Sequence, residues 1–131
     1  MPRQFLTILF VALLTGCHAA TPSRSGALDH VVIMWLKEPG NSAARTRLES
    51  ASAGFNRIDG VEQVRFGRPV LPGPSTRPMV DSSFDLGVII VFRDEAALRA
   101  YEHNPAHQQA ASDLLQPLVA RYIVYDIAEA H

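Results

Sequence analysis

The sequence predicts an α+β domain of the ferredoxin-like type, an antiparallel sheet with helices on one face. Segments with strand and helix patterns follow the order β-α-β-β-α-β, which is typical of the split βαβ arrangement. Two of the strand segments are apolar on both faces, so they need cover on each side. With 131 residues, 47% of them hydrophobic, the chain has the size of one domain with a substantial core.

The N-terminus carries a pattern typical of an exported bacterial protein. Residues 1–16 predict a signal peptide, because the basic Arg3 precedes an apolar run from Phe5 to Leu14 that is too short for a permanent membrane helix. The ending "LLTGC" resembles a lipobox, which implies cleavage before Cys17 and a lipid on its side chain. An ordinary cleavage site beside a chance cysteine is the alternative.

A lipidated Cys17 would leave the mature chain without a thiol, since Cys17 is its only cysteine. Disulfides, thiolate nucleophiles and cysteine metal ligands would then be excluded. Residues 17–26 form a polar tether, and several acyl chains on one residue make a stable anchor. Because His18 stands where lipoproteins retained in the inner membrane carry aspartate, the resemblance implies the periplasmic face of the outer membrane.

The folded domain is predicted over residues 27–131 and opens with a strand at Ala27 to Lys37. This run is apolar and rich in β-branched residues, and the turn "EPGN" ends it. The segment "NSAARTRLESASAGFNRI" has helical spacing of apolar residues, with Asn41 or Ser42 as its N-cap. The segment "DGVEQVRFGRPV" then predicts a turn and a second strand.

The second half of the domain repeats strand, helix and strand. A loop from Arg68 to Ser82 holds four prolines and leads into a strand at Ser83 to Phe92. Loops of this length are often lids or mobile arms. Asp94 is expected to cap the next helix, and Pro105 to begin a further helix that runs to Pro117. The closing segment "ARYIVYDIA" predicts the last strand.

The sheet face away from the helices is predicted to be apolar. In a monomer of this fold that face would meet water and should be polar. We therefore expect a second copy to cover it, so that two sheets form a dimeric α/β barrel. The residues expected at this homodimer interface are Val31, Ile33, Trp35, Ile89 and Val91.

The segment "YEHNPAHQQ" contains the residues best suited to acid–base chemistry. Pro105 breaks the helix, so Asn104 caps the next one and His107 lies in its first turn. The positive end of the helix dipole opposes protonation there, and a neutral imidazole can act as a general base. Tyr101 could donate a hydrogen bond to a developing oxyanion. His30 is predicted to lie on the same face of the first strand as Val32 and Met34.

Spacing and composition argue against a metal site and against nucleic-acid binding, and no cofactor is expected. His103 and His107 have the i, i+4 spacing of a metal pair, but the break at Pro105 removes their shared helical face. No glutamate lies between them, as the zinc hydrolase motif requires. With Lys+Arg at 12 and Asp+Glu at 13, and no run of like charges, no basic surface for a phosphate backbone is indicated.

Four segments resemble the stress-responsive A/B barrel domain, or Dabb family: "HVVIMWLKE", "IDGVEQVRFG", "VIIVFRDEAALRAYEHNPAHQQ" and "YIVYDI". The resemblance spans about residues 28–127 and implies a dimeric α+β barrel of ferredoxin-like protomers. One plant member of that family is a cofactor-free polyketide cyclase. The tyrosine and histidine of its Y-x-x-x-P-A-H segment match Tyr101 and His107, and a histidine of its first strand matches His30. Asn104 departs from the pattern, because that segment carries a histidine there.

Three functions follow as alternatives. The domain could bind a small apolar or aromatic molecule in a pocket between sheet and helices, in connection with stress. It could be a cyclase or isomerase in which His107 is the base, Tyr101 the oxyanion donor and His30 an orienting group. It could also be a structural dimer whose buried histidines and tyrosine are merely satisfied in place. The expected pocket residues are Val32, Met34, Phe55, Phe84 and Leu98.

Overall fold

The computed structural model describes residues 26–70 and 79–129 of the chain. The predicted signal peptide, the lipidated Cys17 and the tether up to residue 25 lie outside the described residues, as does the centre of the proline-rich loop, residues 71–78. Within the two described ranges, no helix is long and apolar enough to cross a membrane.

The strands of the described chain form one antiparallel sheet. They are β1 (Leu28–Leu36), β2 (Val61–Gly67), β3 (Leu86–Phe92) and β4 (Val119–Ala128), in the spatial order β2-β3-β1-β4. β1 lies between β3 and β4, and each neighbouring pair is antiparallel. Two β-α-β units in this order make the split βαβ topology. The predicted ferredoxin-like α+β fold is confirmed.

Helical segments connect β1 to β2 and β3 to β4. The first connection is α1 (Ser42–Gly54), which ends in a 3-10 turn at Phe55–Arg57. The second begins with α2 (Glu95–Glu102) and continues after a break with α3 (Pro105–Ala110). α3 then runs into a π-helical turn, Ala111–Leu115, shortly before β4.

Each of these helices has the N-terminal cap that the sequence predicts. The capping residues are Asn41, Asp94 and Asn104. Each side-chain oxygen accepts a hydrogen bond from a backbone N–H of the first turn, at 2.9, 2.8 and 2.9 Å. Pro105 is the first residue of α3, where its missing N–H leaves no helical bond unmade. The break therefore places Tyr101 and His107 on different helices.

The hydrophobic core lies between the inner face of the sheet and the helices. Phe92, Leu86 and Ile90 of β3 are its largest fully buried side chains. Leu48 of α1 and Leu98 of α2 belong to the same cluster. Removing this apolar surface from water is the main favourable contribution to folding.

The other face of the sheet carries the residues expected at a homodimer interface. Val31 pairs with Ile89, and their neighbours along each strand point into the core, so both side chains point away from the helices. Tyr125 and Ile127 of β4 lie on the same face and are 53% and 56% exposed. The protomer thus has an apolar outer face. The remaining predicted members on this face are Ile33, Trp35 and Val91.

Trp35 is partly covered within the protomer itself. The Arg121 guanidinium carbon lies 3.7 Å from the centroid of the indole ring, and the indole Nε1–H donates to Ser83 Oγ at 2.9 Å. Asp85 accepts a hydrogen bond from the backbone N–H of Leu36. Because Ser83 and Asp85 are used in these contacts with the end of β1, β3 starts at Leu86 and not at Ser83 as predicted.

Candidate functional site

A cavity of about 390 Å³ lies between the inner face of the sheet and the helices. Alternate residues of β1, β3 and β4 form its floor, because side chains alternate between the two faces of a strand. Residues of α1, α3 and the π-helical turn form its roof. Most of the lining is apolar, and Val32, Met34 and Phe55 of the predicted pocket residues belong to it.

Neither Phe84 nor Leu98 lines this cavity, contrary to the expectation from the sequence. The Phe84 ring lies beside Gly87 and Ile33 on the outer face of the sheet. Strand alternation does not extend to Phe84, because β3 begins only at Leu86. Leu98 of α2 is buried in the hydrophobic core and does not line the cavity.

His30, Tyr101 and His107 meet at one end of the cavity. The ring centroid of Tyr101 lies 5.8 Å from that of His30 and 4.3 Å from that of His107. Phe55 and Phe92 hold the tyrosine ring in place, with centroid distances of 5.4 and 5.0 Å. Side chains from β1, α2 and α3 therefore converge on one point, the arrangement that acid–base chemistry needs.

His30 is oriented by Asp126, which the sequence analysis did not single out. The two residues are directly opposite in the β1–β4 register, and His30 Nδ1 lies 2.7 Å from Asp126 Oδ1. A carboxylate only accepts, so the Nδ1–H of His30 is the donor in this hydrogen bond. The alternation of Tyr122, Val124 and Asp126 along the last strand is the signal that places Asp126 on the inner face.

Tyr101 supplies a neutral hydroxyl donor. The residue is 2% exposed, and burial raises the pKa of its hydroxyl far above the ordinary value of 10.0. Among the described residues, no group forms a hydrogen bond with this hydroxyl. The same residues include no side-chain N or O atom that is fully buried and lacks a hydrogen-bond partner, so the Tyr101 oxygen is not fully buried. The hydroxyl is therefore open to the cavity that Tyr101 lines. It can donate to an oxygen of a bound molecule.

His107 is the second imidazole of the site and lies in the first turn of α3. Burial lowers the pKa of His107 below 6.5, and positive charge on His30 lowers it further, while the Glu102 carbonyl and carboxylate act in the opposite direction. Its Nδ1–H points at the Glu102 carbonyl oxygen at 3.4 Å. At neutral pH this imidazole is mainly neutral and can accept a proton or donate a hydrogen bond.

His103 lies outside this cluster. Its Nδ1–H donates to the backbone carbonyl of Arg99 at 2.8 Å, which closes the end of α2. The break at Pro105 thus separates His103 from His107, as the sequence predicts. Within residues 26–70 and 79–129, no three His, Cys, Asp or Glu residues are grouped as metal ligands.

A π-helical turn widens the roof of the cavity. The Gln116 N–H bonds to the Ala111 carbonyl, and the next residue, Pro117, has no N–H to continue an α-helical pattern. Leu114 and Leu115 of this turn line the cavity. Such turns are rare and occur frequently at functional sites. The sequence predicts a continuous helix here, so the wider turn is a finding of the structure.

Comparisons with solved structures show the same architecture in other organisms. A Dabb family protein from Mesorhizobium loti with a ferredoxin-like fold is 24% identical, with a TM-score of 0.65, over 82% of this chain and 100% of the other. A dimeric ferredoxin-like protein of unknown function from Jannaschia sp. CCS1 is 27% identical, with a TM-score of 0.59, over 80% and 100% of the two chains. The hydroxynitrile lyase from Passiflora edulis is 14% identical, with a TM-score of 0.67, over 81% and 95%.

None of the proteins with curated functions matches the chain. Residues 28–129 match the sequence model of the Dabb family, described as the stress responsive A/B barrel domain. This match includes all four described strands and the residues His30, Tyr101, His107 and Asp126. The chain therefore belongs to the Dabb family of stress responsive A/B barrel domains.

Proposed function

We propose that this protein is a homodimeric, stress-related lipoprotein of the bacterial envelope that binds a small apolar or aromatic molecule between its sheet and helices. The observation that carries the proposal is the cavity of about 390 Å³, apolar along most of its wall and polar at one end. Pockets for small molecules are typically of about this size and character, with a few placed polar groups that orient the ligand.

Binding can be tested with 1-naphthol as the probe, followed by its own fluorescence. The domain without its leader is suitable, because the Mesorhizobium loti protein is matched over its whole length and so consists of this domain alone. Ala111→Phe should abolish binding by filling the cavity that Ala111 lines. Ala100→Phe is the matched control, since Ala100 is exposed on α2 and does not line the cavity. Equal binding by both variants would contradict this location.

The homodimer is proposed from the apolar outer face of the sheet. A sheet face of this composition needs cover, and the Jannaschia relative is described as dimeric. Ile33→Glu would place a charge in the middle of the interface and should yield monomers in analytical ultracentrifugation. Val70→Glu is the control, because Val70 is 93% exposed. A dimer that survives Ile33→Glu would exclude this face as the interface.

We propose the lipid anchor because the sequence that ends at Cys17 resembles a lipobox. We propose attachment to the outer membrane because His18 follows Cys17, where lipoproteins retained in the inner membrane carry aspartate. Cys17→Ser should release the protein from the membrane fraction into the periplasm. Membrane association that persists in this variant would show that another part of the chain attaches it. Separation of inner and outer membranes tests the proposed destination of the wild-type protein.

A second candidate function is cofactor-independent acid–base catalysis on a carbonyl compound, such as cyclisation or isomerisation. The specific observation is the pair of His30 and Asp126 beside Tyr101 and His107. In this function His107 is the base, Tyr101 donates to the developing oxyanion and His30 is the second polar group. A hydroxynitrile lyase with the same fold shows that an enzyme can be built on it.

Enolisation of a ketone is the simplest test of this second function. Deuterium from the solvent should replace the α-protons of 2-octanone faster in the presence of the protein, as followed by proton NMR. His107→Ala and Tyr101→Phe should each abolish the acceleration. His30→Ala tests the other imidazole separately. His103→Ala is the control, because His103 lies outside the cluster. No acceleration by the wild type would favour binding alone.

A further inference from the structure

A second concave surface, separate from the cavity on the sheet, lies between the helices. It is a groove of about 810 Å³. One wall is α1 with the 3-10 turn that follows it, and the other is α3 with the π-helical turn. No residue of a described strand lines the groove, although it shares a wall with the cavity at Phe55 and Leu114.

The floor of the groove is apolar and narrow-walled. Ala51 and Gly54 of α1 face it with helical spacing, and their small side chains leave room above them. Ile58, Ala110 and Leu114 complete the floor, and each is a half-buried hydrophobic residue that packs against the core. The groove therefore offers water-accessible apolar surface that an elongated apolar group can cover.

Two arginines, Arg47 and Arg57, line the groove on its α1 side, and both are exposed. The helical rise between them is roughly 15 Å at about 1.5 Å per residue, so they stand towards opposite ends of the floor. Neither guanidinium group forms a hydrogen bond or ion pair with another residue that the structure describes. Both are thus available to a ligand.

The carboxyl groups that line the groove are already used. Asp113 Oδ2 accepts a hydrogen bond from Gln109 Nε2 at 2.6 Å. Asp59 Oδ2 lies 3.7 Å from the Arg93 guanidinium nitrogen. The unpaired charge of the groove is therefore positive, and a guanidinium group matches the two oxygens of a carboxylate with parallel hydrogen bonds.

We propose that this groove is a second binding site, and that it takes a single-chain amphipathic carboxylate. The carboxylate pairs with the guanidinium group of Arg47 or Arg57, and the apolar chain lies along the floor between them. A cation of the same length meets unpaired positive charge, and a short carboxylate leaves the floor uncovered. The site does not depend on what the cavity binds.

Three probes test the ligand class: decanoate, acetate and decyltrimethylammonium, each titrated at pH 7.5 into the ¹⁵N-labelled domain below its micelle concentration and followed by NMR. Decanoate should shift the amides of α1 and α3 that line the groove. It should bind about tenfold more tightly than the other two, because only decanoate offers both the negative charge and the chain. Equal binding of decyltrimethylammonium would overturn the role of charge, and equal binding of acetate that of the apolar floor.

Substitution of the arginines tests the head-group contact. Arg47→Gln or Arg57→Gln, made singly, should weaken decanoate binding about tenfold, and the weaker variant identifies the arginine that holds the carboxylate. Arg45→Gln is the matched control, because it removes the same charge from α1 at a residue that does not line the groove. If both groove variants bind decanoate as tightly as Arg45→Gln does, the proposal is overturned.

Filling each concave surface separately tests the location. Ala106→Phe should abolish decanoate binding, because Ala106 lines the groove but not the cavity. Ala43→Phe is the matched control, since Ala43 is also the exposed second residue of a helix and lines neither surface. Ala111→Phe, which fills the cavity alone, should leave decanoate binding unchanged. Loss of decanoate binding in Ala111→Phe and not in Ala106→Phe would overturn the groove site and assign the probe to the cavity.

Discussion

Phe92→Ala should destabilise the domain strongly and disturb the packing of the Tyr101 and His30 rings. Phe92 is 0% exposed, and its ring lies 5.0 Å from the Tyr101 ring and 6.1 Å from the His30 ring. Loss of a buried phenyl group costs about 3–5 kcal/mol, and the two lost aromatic contacts place this substitution in the upper part of that range. The cost is a large fraction of the roughly 5–15 kcal/mol by which domains are stable.

The assay is guanidinium unfolding at fixed protomer concentration, followed by the fluorescence of Trp35, with stability calculated from midpoint and slope. Phe66→Ala is the matched control, because Phe66 also belongs to the sheet but is 43% exposed. It should cost less than about 1 kcal/mol. If Phe92→Ala does not fold, Phe92→Leu should give an intermediate loss of about 1–2 kcal/mol. Equal losses at Phe92 and Phe66 would refute the assignment of the core.

Three further expectations concern the turn, the pH dependence and a helix cap. Gly60→Ala should cost more than about 2 kcal/mol in the same unfolding assay, because Gly60 has a φ of +84° and an added methyl group would overlap the Ala97 side chain; a neutral effect would contradict this geometry. Because the pKa of His107 is lowered on folding, the unfolded chain binds more protons, so stability should fall as the pH drops below 6.5. His107→Gln should reduce that fall, and an unchanged pH profile would exclude His107 as its source. Asn104→Ala should lower the unfolding free energy by about 1 kcal/mol by removing the cap of α3, whereas Ser50→Ala on the exposed side of α1 should change it by less than about 0.5 kcal/mol.

Several features of the site could be predicted from local sequence alone. Asn104 and Pro105 form a cap and a first helical residue, and both preferences arise within one turn of the chain. The break that they impose places Tyr101 and His107 on adjacent helices, and the structure brings their rings to 4.3 Å. The sequence also predicts a lowered pKa for His107 from the helix dipole. In the structure the larger cause is burial, which depends on residues distant in sequence.

Contacts between distant residues could not be predicted in the same way. His30 and Asp126 are 96 positions apart, and their hydrogen bond depends on the register of β1 against β4. A shift of one residue would turn Asp126 to the other face. Phe84 shows the same limit, because the point at which β3 begins decides on which face its ring lies.

The sequence by itself determined the order of strands and helices, the caps, the two-faced apolar strands and the segment that carries Tyr101 and His107. These depend on hydrophobic periodicity and on local turn and capping chemistry, which act over a few residues. Only the tertiary structure decided that His30 is paired with Asp126, that a π-helical turn widens the roof and that the Tyr101 hydroxyl is open to the cavity. The physical reason is that register and packing result from the whole sheet meeting its helices, and not from any single segment.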